Sequence, residues 1–311
     1  MKVHHSVAAY TNKQPSVVTI GTFDGVHLGH KVLLEKVLKT AKQEELESVV
    51  LTFFPHPRMV LQTDSDIKLI NTISEKEVLL DQTGLDHLII HPFTKEFSRL
   101  TALEYVRDIL VNGLNAKKII IGYDHRFGRN RTATIEDLHE FGTTYDFDVE
   151  EIGVQQLNEI AISSTKIRNA LAAGDITTAN EYLGYYYMLN GTVIRGKGIG
   201  GPQLNFPTAN LHISEDYKQI PKNGVYIVQT FIAHKKYFGI TNIGTNPTVG
   251  GTQKTIETYF LDFDGDLYNC QLELQFVQYI REEESFDSLE QLKLAIANDE
   301  AYARSYINEN E

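Results

Sequence analysis

Short apolar runs alternate with amphipathic helical patterns along the first half of the chain. The runs are rich in Val and Ile and show no polar alternation, which is typical of strands covered on both faces of a sheet. They lie at residues 17–20, 49–54, 88–90, 118–121 and 149–152. Because strand and helix patterns alternate about five times, the first half is predicted to form a doubly wound, Rossmann-like parallel α/β sheet.

Two of the helical patterns begin with a capping-box signal. Ser74 is followed three residues later by Glu77, and Thr101 is followed in the same way by Glu104. In a capping box, the hydroxyl and the carboxylate each accept a hydrogen bond from a backbone N–H group that the helix leaves unpaired. Helices are therefore predicted to begin at Ser74 and at Thr101.

The hydrophobic pattern changes from about Met188 onward. Strand-like runs follow one another with turns and without helical patterns between them, at residues 192–194, 225–231, 237–241, 256–263 and 272–279. This rhythm predicts an antiparallel sheet or a small barrel. A terminal helix is expected after these strands, with Asp287 as its N-cap.

The length of the chain agrees with two domains. Its 311 residues exceed the size at which a single core usually stops growing. A hydrophobic fraction of 42% with 23% charged residues is typical of globular domains. We expect a first domain at residues 1–186 and a second at residues 187–311.

Charge and cysteine content narrow the range of partners. The formal net charge of -12 argues against nucleic-acid binding, because phosphate backbones are bound by basic surfaces. The single cysteine, Cys270, excludes an internal disulfide bond. Neither a secretory signal nor an apolar stretch of about 18 residues is present. These features predict a cytoplasmic protein that does not enter the membrane.

A glycine-rich stretch follows the first predicted strand and runs into a helical pattern. It reads Gly-Thr-Phe-Asp-Gly-Val-His-Leu-Gly-His over residues 21–30. A turn between a strand and a helix start presents free backbone N–H groups to a phosphate. His27 and His30 are three residues apart, so on a helix they share one face and can donate hydrogen bonds to phosphoryl charge. The alternative is an exposed turn that carries two surface histidines.

Four segments, in order along the chain, resemble one enzyme family. Residues 21–30 resemble the HxGH signature of nucleotidyltransferases in the longer form GxFDGxHxGH. The other three resemble the segments FxPHP, GxDxxFG and ISSTxIR, and they lie at residues 54–57, 122–128 and 162–168. Together the four are similar to the FMN adenylyltransferase module of bacterial bifunctional riboflavin kinase/FAD synthetases.

The resemblance implies that ATP reacts at its α-phosphorus with FMN to form FAD and pyrophosphate. It assigns catalysis to His27, His30 and Arg168. The residues expected to bind ATP and its phosphates are Gly21, Phe23, Asp24, Gly29, Ser163, Ser164 and Thr165. The residues expected to contact the flavin are His56, Asp124 and Phe127.

Two patterns in the second half fit known site motifs only formally. The GxGxxG pattern at residues 196–201 is followed by Pro202 and Pro207, which forbid the helix that a dinucleotide site needs. Acidic residues within 262–273 match part of a calcium loop, but Leu267 stands where glycine is required. The chain has no GxxxxGK[ST] motif, so a kinase in this half is not of the P-loop type.

Residues 206–210, Phe-Pro-Thr-Ala-Asn, resemble the PTAN motif of riboflavin kinases, which form a small six-stranded antiparallel barrel. The resemblance implies that Thr208 and Asn210 bind the ATP phosphates and Mg²⁺, because hydroxyl and amide oxygens suit this ion. Gly196 and Gly198 are expected to contact phosphate from the preceding loop.

The same resemblance assigns two further residues of the barrel. By its position in a predicted strand, Glu257 corresponds to the general base that deprotonates the ribityl 5′-hydroxyl of riboflavin. Arg281 is expected to contact the flavin. The implied substrates and products are riboflavin, FMN, FAD, ATP, ADP and pyrophosphate, with ATP as co-substrate and Mg²⁺ as cofactor.

The loop before the PTAN motif departs from the bacterial pattern GRxxGFPTAN. Residues 200–206 include no arginine, and Asn205 replaces the usual glycine. A second hypothesis is therefore an FMN adenylyltransferase whose barrel only binds flavin. A third is a non-catalytic sensor of flavin or nucleotide. A fourth is a nucleotidyltransferase for another acceptor, such as phosphopantetheine or a cytidylyl substrate. The sequence leaves the oligomeric state open.

Overall fold

The structure, a computed structural model, describes residues 1–12, 14–62, 66–122, 125–153, 162–196, 206–248 and 251–310, with only the backbone at 246–248 and 251–253. The chain divides into two compact units, Met1–Ser164 and Thr165–Glu311, which we term the N-terminal and C-terminal units. The expected boundary between residues 186 and 187 lies further along the chain and stays a prediction. No helix in the described ranges has both the length and the hydrophobicity that a membrane span requires.

A parallel sheet forms the centre of the N-terminal unit. Its strands are β1 Lys2–His4, β2 Ser16–Ile20, β3 Glu47–Phe54, β4 His87–Pro92, β5 Ala116–Gly122 and β6 Asp148–Ile152. They are arranged in the order β1-β4-β3-β2-β5-β6. The five predicted runs are confirmed as β2 to β6. The hydrophobic pattern does not reveal the edge strand β1, because three residues are too few to establish a period.

Alternate residues of the central strands pack to opposite faces of the sheet. On β2, Val17 belongs to a core cluster that includes Val37 and Ala41 of helix α1 (Leu28–Glu44). Its neighbour Val18 belongs to a second cluster, which includes Val106 and Leu110. Because β2 is covered on both faces, its run has no polar alternation, as the sequence predicts.

The other α-helices among the described residues of this unit are α2 Pro57–Leu61, α3 Ile73–Asp81, α4 Ala102–Glu104, which continues as the π-helix Tyr105–Val111, and α5 Ile135–Tyr145. The capping box of Thr101 and Glu104 is confirmed. The one expected at Ser74 is wrong, since Thr72 and Glu75 form the box. The backbone is extended at Thr72 (ψ 167°), so the helix has already begun when the chain reaches Ser74.

The described residues of the C-terminal unit form two helices, a closed antiparallel barrel and a terminal helix. Its elements are α6 Ser164–Ala173, which begins at the last residue of the N-terminal unit, α7 Ile176–Leu183, β7 Met188–Ile194, β8 Thr208–His212, β9 Gly224–Ile232, β10 Lys235–Thr248, β11 Gly251–Phe260, β12 Gln271–Arg281 and α8 Leu289–Asn310. The barrel order is β10-β11-β8-β7-β12-β9. This confirms the six-stranded antiparallel barrel with its C-terminal helix. The N-cap of α8 is Ser288 rather than Asp287, because the Ser288 hydroxyl accepts from Gln291 N–H.

Helix α8 is tied to the barrel by two arginine–aspartate pairs. Arg281 at the end of β12 donates from Nε and Nη2 to the Asp299 carboxylate at 2.9 and 2.8 Å. Arg304 on α8 donates to the Asp262 carboxylate, where both distances are 2.9 Å. Asp262 follows β11, so this acidic residue of the calcium-like pattern lies in a connection between two strands and serves as an ion-pair partner.

Candidate active sites

Residues 21–30, which we term the histidine turn, connect β2 to α1. Three of its residues have positive φ angles: Phe23 at 46°, Gly25 at 92° and Val26 at 37°. Residues with a Cβ rarely adopt this conformation, so contacts elsewhere must hold the turn. His27 caps α1, and its Nδ1 accepts a hydrogen bond from His30 N–H at 3.3 Å. The predicted sequence of strand, turn and helix start is confirmed.

The two imidazole rings of the histidine turn lie face to face. Their centroids are 3.6 Å apart, and the angle between their planes is 16°. Burial lowers the pKa of His27 to about 4. Burial, and then the neighbouring His27 and Lys76, lowers the pKa of His30 well below its usual value. Both rings are therefore neutral near pH 7, and each carries one N–H group that can donate to a phosphoryl oxygen.

Two glycines make room for the aromatic rings of the turn. A Cβ on Gly29 would lie 3.2 Å from Cε1 and Nδ1 of His27. A Cβ on Gly21 would lie 3.1 Å from the Phe23 ring. The Phe23 ring in turn lies with its centroid 5.0 Å from that of His30. The glycines thus allow the rings to pack closely against the backbone.

The buried side chain of Asp24 holds the turn through hydrogen bonds to backbone N–H groups. Its Oδ1 accepts hydrogen bonds from the N–H groups of Ile70 at 2.9 Å and Asn71 at 3.5 Å. The carbonyl of Asp24 accepts from the Ser164 hydroxyl at 2.8 Å. Of the residues expected to bind ATP, Ser164 therefore lies at the turn, while Asp24 directs its carboxylate into the fold.

Other expected residues of the adenylyltransferase lie on or beside α6. Arg168 belongs to the C-terminal unit, and its Nη2 donates to Thr165 Oγ1 at 3.3 Å. Ser163 and Thr165 are exposed. Their expected roles at ATP stay predictions.

The structure describes two of the three residues expected to contact the flavin in the N-terminal unit, and their contact with flavin stays a prediction. His56 caps α2, where its Nδ1 accepts from Arg58 N–H at 3.1 Å. Phe127 is buried in the core, with its ring centroid 5.8 Å from that of Tyr105, so little of the ring is left for a ligand. Asp124 lies outside the described residues.

Strand register brings together the residues expected at the kinase site. Asn210 on β8 lies directly opposite Glu257 on β11, and Thr208 lies opposite Tyr259. Opposed residues of antiparallel strands share a face, with Cβ atoms about 4.5–5.5 Å apart. Glu257 is half-buried and both of its neighbours in β11 are buried. Thr208, Asn210 and Glu257 therefore lie on the outer face of the barrel, which we term the kinase face.

Gly196 lies beside the kinase face, whereas Arg281 is engaged elsewhere. A Cβ on Gly196 would clash with the side-chain amide of Asn210. This places Gly196 where the expected phosphate loop begins, and Gly198 lies outside the described residues. The guanidinium of Arg281 is bound to Asp299, and its Nη1 also donates to the Glu282 carbonyl at 3.0 Å. A flavin contact by Arg281 stays a prediction.

Two protein-family models match the chain in the same order as its two folds. FAD synthetase matches residues 9–166, and riboflavin kinase matches residues 183–307. Two relatives named bifunctional riboflavin kinase/FMN adenylyltransferase extend the likeness along the chain. The protein from Buchnera aphidicola subsp. Acyrthosiphon pisum is 37% identical over 296 residues, which are 94% of each chain. The protein from Escherichia coli K12 is 35% identical over 291 residues, covering 93% of this chain and 92% of that one.

The chain belongs to the bifunctional riboflavin kinase/FMN adenylyltransferase family. A solved structure from Streptococcus pneumoniae shares its fold, with a TM-score of 0.87 and 29% identity over 97% of this chain and 98% of that one. That protein is named a macrolide-efflux protein, a function that is said of the pneumococcal protein alone. The family matches confirm the family that the sequence motifs indicate.

Members of this family use ATP, with which Mg²⁺ is expected, and the kinase face offers ligands that fit the ion. Thr208 and Asn210 are two residues apart on one strand, so a hydroxyl and an amide oxygen point to the same side. Oxygen ligands of this kind suit Mg²⁺, which usually takes its remaining ligands from phosphate and water. Within the described ranges, no group of three or more His, Cys, Asp or Glu side chains is placed to hold a metal ion.

Lys76 contacts the histidine turn, although its sequence pattern does not single it out. It lies on α3 and is 3% exposed, and its Nζ donates to the Thr22 carbonyl at 2.7 Å. Lysine is rarely buried in this way. The available signal was its spacing from Leu79 and Leu80, because positions i, i+3 and i+4 share the buried face of the helix.

Proposed function

We propose that the two units of this family member catalyse consecutive reactions. The C-terminal unit phosphorylates riboflavin to FMN with ATP and releases ADP. The N-terminal unit joins FMN to the adenylyl group of ATP, forms FAD and releases pyrophosphate. The observation that carries the proposal is that each family match contains one set of candidate groups. The histidine turn lies in the FAD synthetase match, and the kinase face lies in the riboflavin kinase match.

In the adenylyl transfer, a phosphate oxygen of FMN attacks the α-phosphorus of ATP. The bond from this phosphorus to the oxygen that bridges the α- and β-phosphates breaks, and pyrophosphate leaves. No side-chain nucleophile is needed, so catalysis consists of positioning and charge stabilisation. The neutral rings of His27 and His30 donate N–H groups to phosphoryl oxygens, and backbone N–H groups at the start of α1 add to them. Further donors are expected from Ser163, Ser164, Thr165 and Arg168.

In the kinase reaction, the ribityl 5′-hydroxyl attacks the γ-phosphorus of ATP, and ADP leaves. Glu257 accepts the proton of this hydroxyl as general base. Its position opposite Asn210 supports the assignment, because Asn210 belongs to the motif expected at the phosphates. Thr208 and Asn210 would hold Mg²⁺, which neutralises phosphate charge. A cytoplasmic location is part of the same proposal.

The experiment resolves FMN and FAD by chromatography while the protein is incubated with riboflavin, ATP and Mg²⁺. The unmodified protein is expected to form FMN first and FAD afterwards. His30→Ala should spare FMN formation and slow FAD formation from supplied FMN by about 10²–10³-fold, the loss typical of one preorganised donor. Glu257→Gln should spare FAD formation from supplied FMN and slow riboflavin phosphorylation by about 10²–10⁴-fold.

The two variants act as controls for each other, since each should lose one activity only. If either change abolished both activities in a folded protein, the proposal of two separate sites would be wrong. If the unmodified protein formed FAD from FMN but no product from riboflavin, its barrel would only bind flavin, as the departure at residues 200–206 suggests.

A further inference from the structure

A lysine ammonium is buried beneath the histidine turn. Lys76 donates from Nζ to the Thr22 carbonyl at 2.7 Å, and the same carbonyl accepts from Thr52 Oγ1 at 3.1 Å. Thr22 directly precedes Phe23, the first residue of the turn with a positive φ angle. The contact of Lys76 therefore lies where the strained segment begins.

Several titratable groups face this ammonium. The Asp24 carboxylate of the turn and the His30 imidazole at the start of α1 interact with it electrostatically; His27 stacks on His30, and Glu75 precedes Lys76 on α3. The Glu75 carboxylate accepts from Thr72 N–H in the capping box at 2.9 Å. Burial lowers the pKa of Lys76 to about 8, although the Asp24 carboxylate opposes the shift.

The buried charge of Lys76 is compensated only in part. Burying an ammonium is unfavourable unless the charge is compensated, and an uncharged side chain of similar length would fill the same space. Because the pKa of Lys76 in the folded protein is below its ordinary value of 10.5, the protonated form opposes folding below about pH 8. This opposition is relieved as the pH rises from about 8 to 10.5.

We propose that Lys76 is a positioning residue for adenylyl transfer, which holds the Thr22 carbonyl and supplies positive charge beneath the histidine turn. This inference rests on the proposed function of that turn. Lys76 acts through other groups rather than by touching substrate. It stabilises the strained backbone that carries His27 and His30, and its charge adds to the burial that keeps His30 a neutral donor. The same charge offsets the negative charge that ATP and FMN bring to the turn.

The test compares Lys76→Met, which removes the charge, with Lys76→Arg, which keeps it. Lys118→Met is the matched control, because Lys118 is a partly buried lysine of the same unit that pairs with Glu44. Lys76→Met should lower kcat for FAD formation by about 10–100-fold with little change in KM, as expected for a small displacement of reacting groups. Lys76→Arg should restore most of the rate. Lys118→Met should behave like the unmodified protein, and all three should form FMN normally.

The pH dependence separates positioning from a merely structural role. In the unmodified protein, kcat/KM for FAD formation should fall as the pH rises through about 8, because this parameter reports the free enzyme. Lys76→Arg should not show this fall, since a guanidinium does not titrate there. Lys76→Met should unfold at a lower temperature, because the buried Asp24 carboxylate loses its nearby cation, whereas Lys76→Arg should unfold close to the unmodified protein.

Two results would overturn the assignment: an unchanged kcat in Lys76→Met, or a fall above pH 8 that persists in Lys76→Arg. If Lys76→Met failed to fold, the pH profile of Lys76→Arg would decide alone. Failure of the proposed function gives a different pattern, in which His30→Ala retains FAD formation. If His30→Ala lost FAD formation and Lys76→Met kept it, the role of Lys76 would be wrong and the proposed function would stand.

Discussion

The histidine turn takes its groups from ten consecutive residues, whereas the kinase face takes them from two strands that lie far apart in the sequence. In the turn, the backbone that leads to the two histidines has positive φ angles at Phe23, Gly25 and Val26, and buried contacts stabilise that backbone. On the barrel, an ordinary antiparallel register places Asn210 opposite Glu257. The geometry of a site on a strained turn therefore depends on the buried contacts that hold the backbone. The geometry of a site on regular strands depends instead on the side chains that pack beside the functional ones.

The two regions also differ in how deeply their titratable groups are buried. His27 and Lys76 are buried, and burial lowers the pKa of each. Glu257 is only half-buried on the outer face of its barrel. The turn thus provides neutral donors and one buried cation, which suit a reaction that needs charge stabilisation. The kinase face provides a carboxylate base and oxygen ligands, which suit proton removal and Mg²⁺ binding.

The largest effect in this comparison is expected from Gly196→Ala. The new Cβ would occupy the space of the Asn210 amide, so Asn210 must move away from its place opposite Glu257. Riboflavin phosphorylation should fall by about 10²-fold, because displacements of this size are costly at reacting groups. FAD formation from supplied FMN should not change. The measurement is the initial rate of each reaction, resolved by chromatography.

The control for this change is Gly153→Ala, because a Cβ on Gly153 would meet no heavy atom of the described residues within 4 Å. It should leave both activities unchanged. Normal phosphorylation by Gly196→Ala would show that the position of Asn210 does not matter for the kinase reaction.

A smaller effect is expected from Gly29→Ala in the histidine turn. The new Cβ would lie 3.2 Å from the His27 ring, so the ring must shift by a few tenths of an ångström. FAD formation should fall by about 10-fold, and FMN formation should be spared. Steady-state kinetics with FMN and ATP measure this change, with Gly153→Ala again as the control. A loss larger than that caused by Gly196→Ala would mean that the turn is the more sensitive of the two sites.

The smallest effect is on the protonation of the two histidines and not on a reaction rate. Because the pKa of His27 is about 4 and that of His30 is well below its usual value, neither imidazole should titrate between pH 5.5 and 7.5. Proton–carbon NMR of the histidine rings, recorded across this pH range, measures this directly. A titration of either ring near 6.5 would contradict the neutral donor pair.

The lowered pKa of His27 also makes the free energy of unfolding depend on pH. A histidine whose pKa is lowered in the folded state stabilises the fold above its unfolded pKa, and this stabilisation is lost as the pH falls toward the folded pKa. For His27 the loss should extend from about pH 6.5 to pH 4 and reach about 3 kcal/mol. Urea unfolding at several pH values, with His27→Gln for comparison, tests the sign: the unfolding free energy of the unmodified protein should fall more steeply with acid.

Local features of the fold were predictable because they depend on neighbours in the chain. The buried strands β2 to β4 and the end of β5 contain apolar runs, and the capping box at Thr101 needs only residues within one turn of helix. The same reasoning was wrong at Ser74, where two hydroxyls compete for one helix start. The backbone conformation at Thr72 settles that competition, and it is not readable from side-chain types.

The sequence by itself determined the alternation of strands and helices in the first half, the run of strands in the second, the histidine turn between a strand and a helix, and the motifs that mark both halves. Each is a pattern within a few consecutive residues. The tertiary structure decided that Glu257 lies opposite Asn210, that Lys76 lies under Thr22, and that Arg281 binds Asp299. These contacts join residues distant in sequence, so they depend on strand register and on which helix face is buried. A charged residue that packing has buried, such as Lys76, therefore becomes visible only in the folded chain.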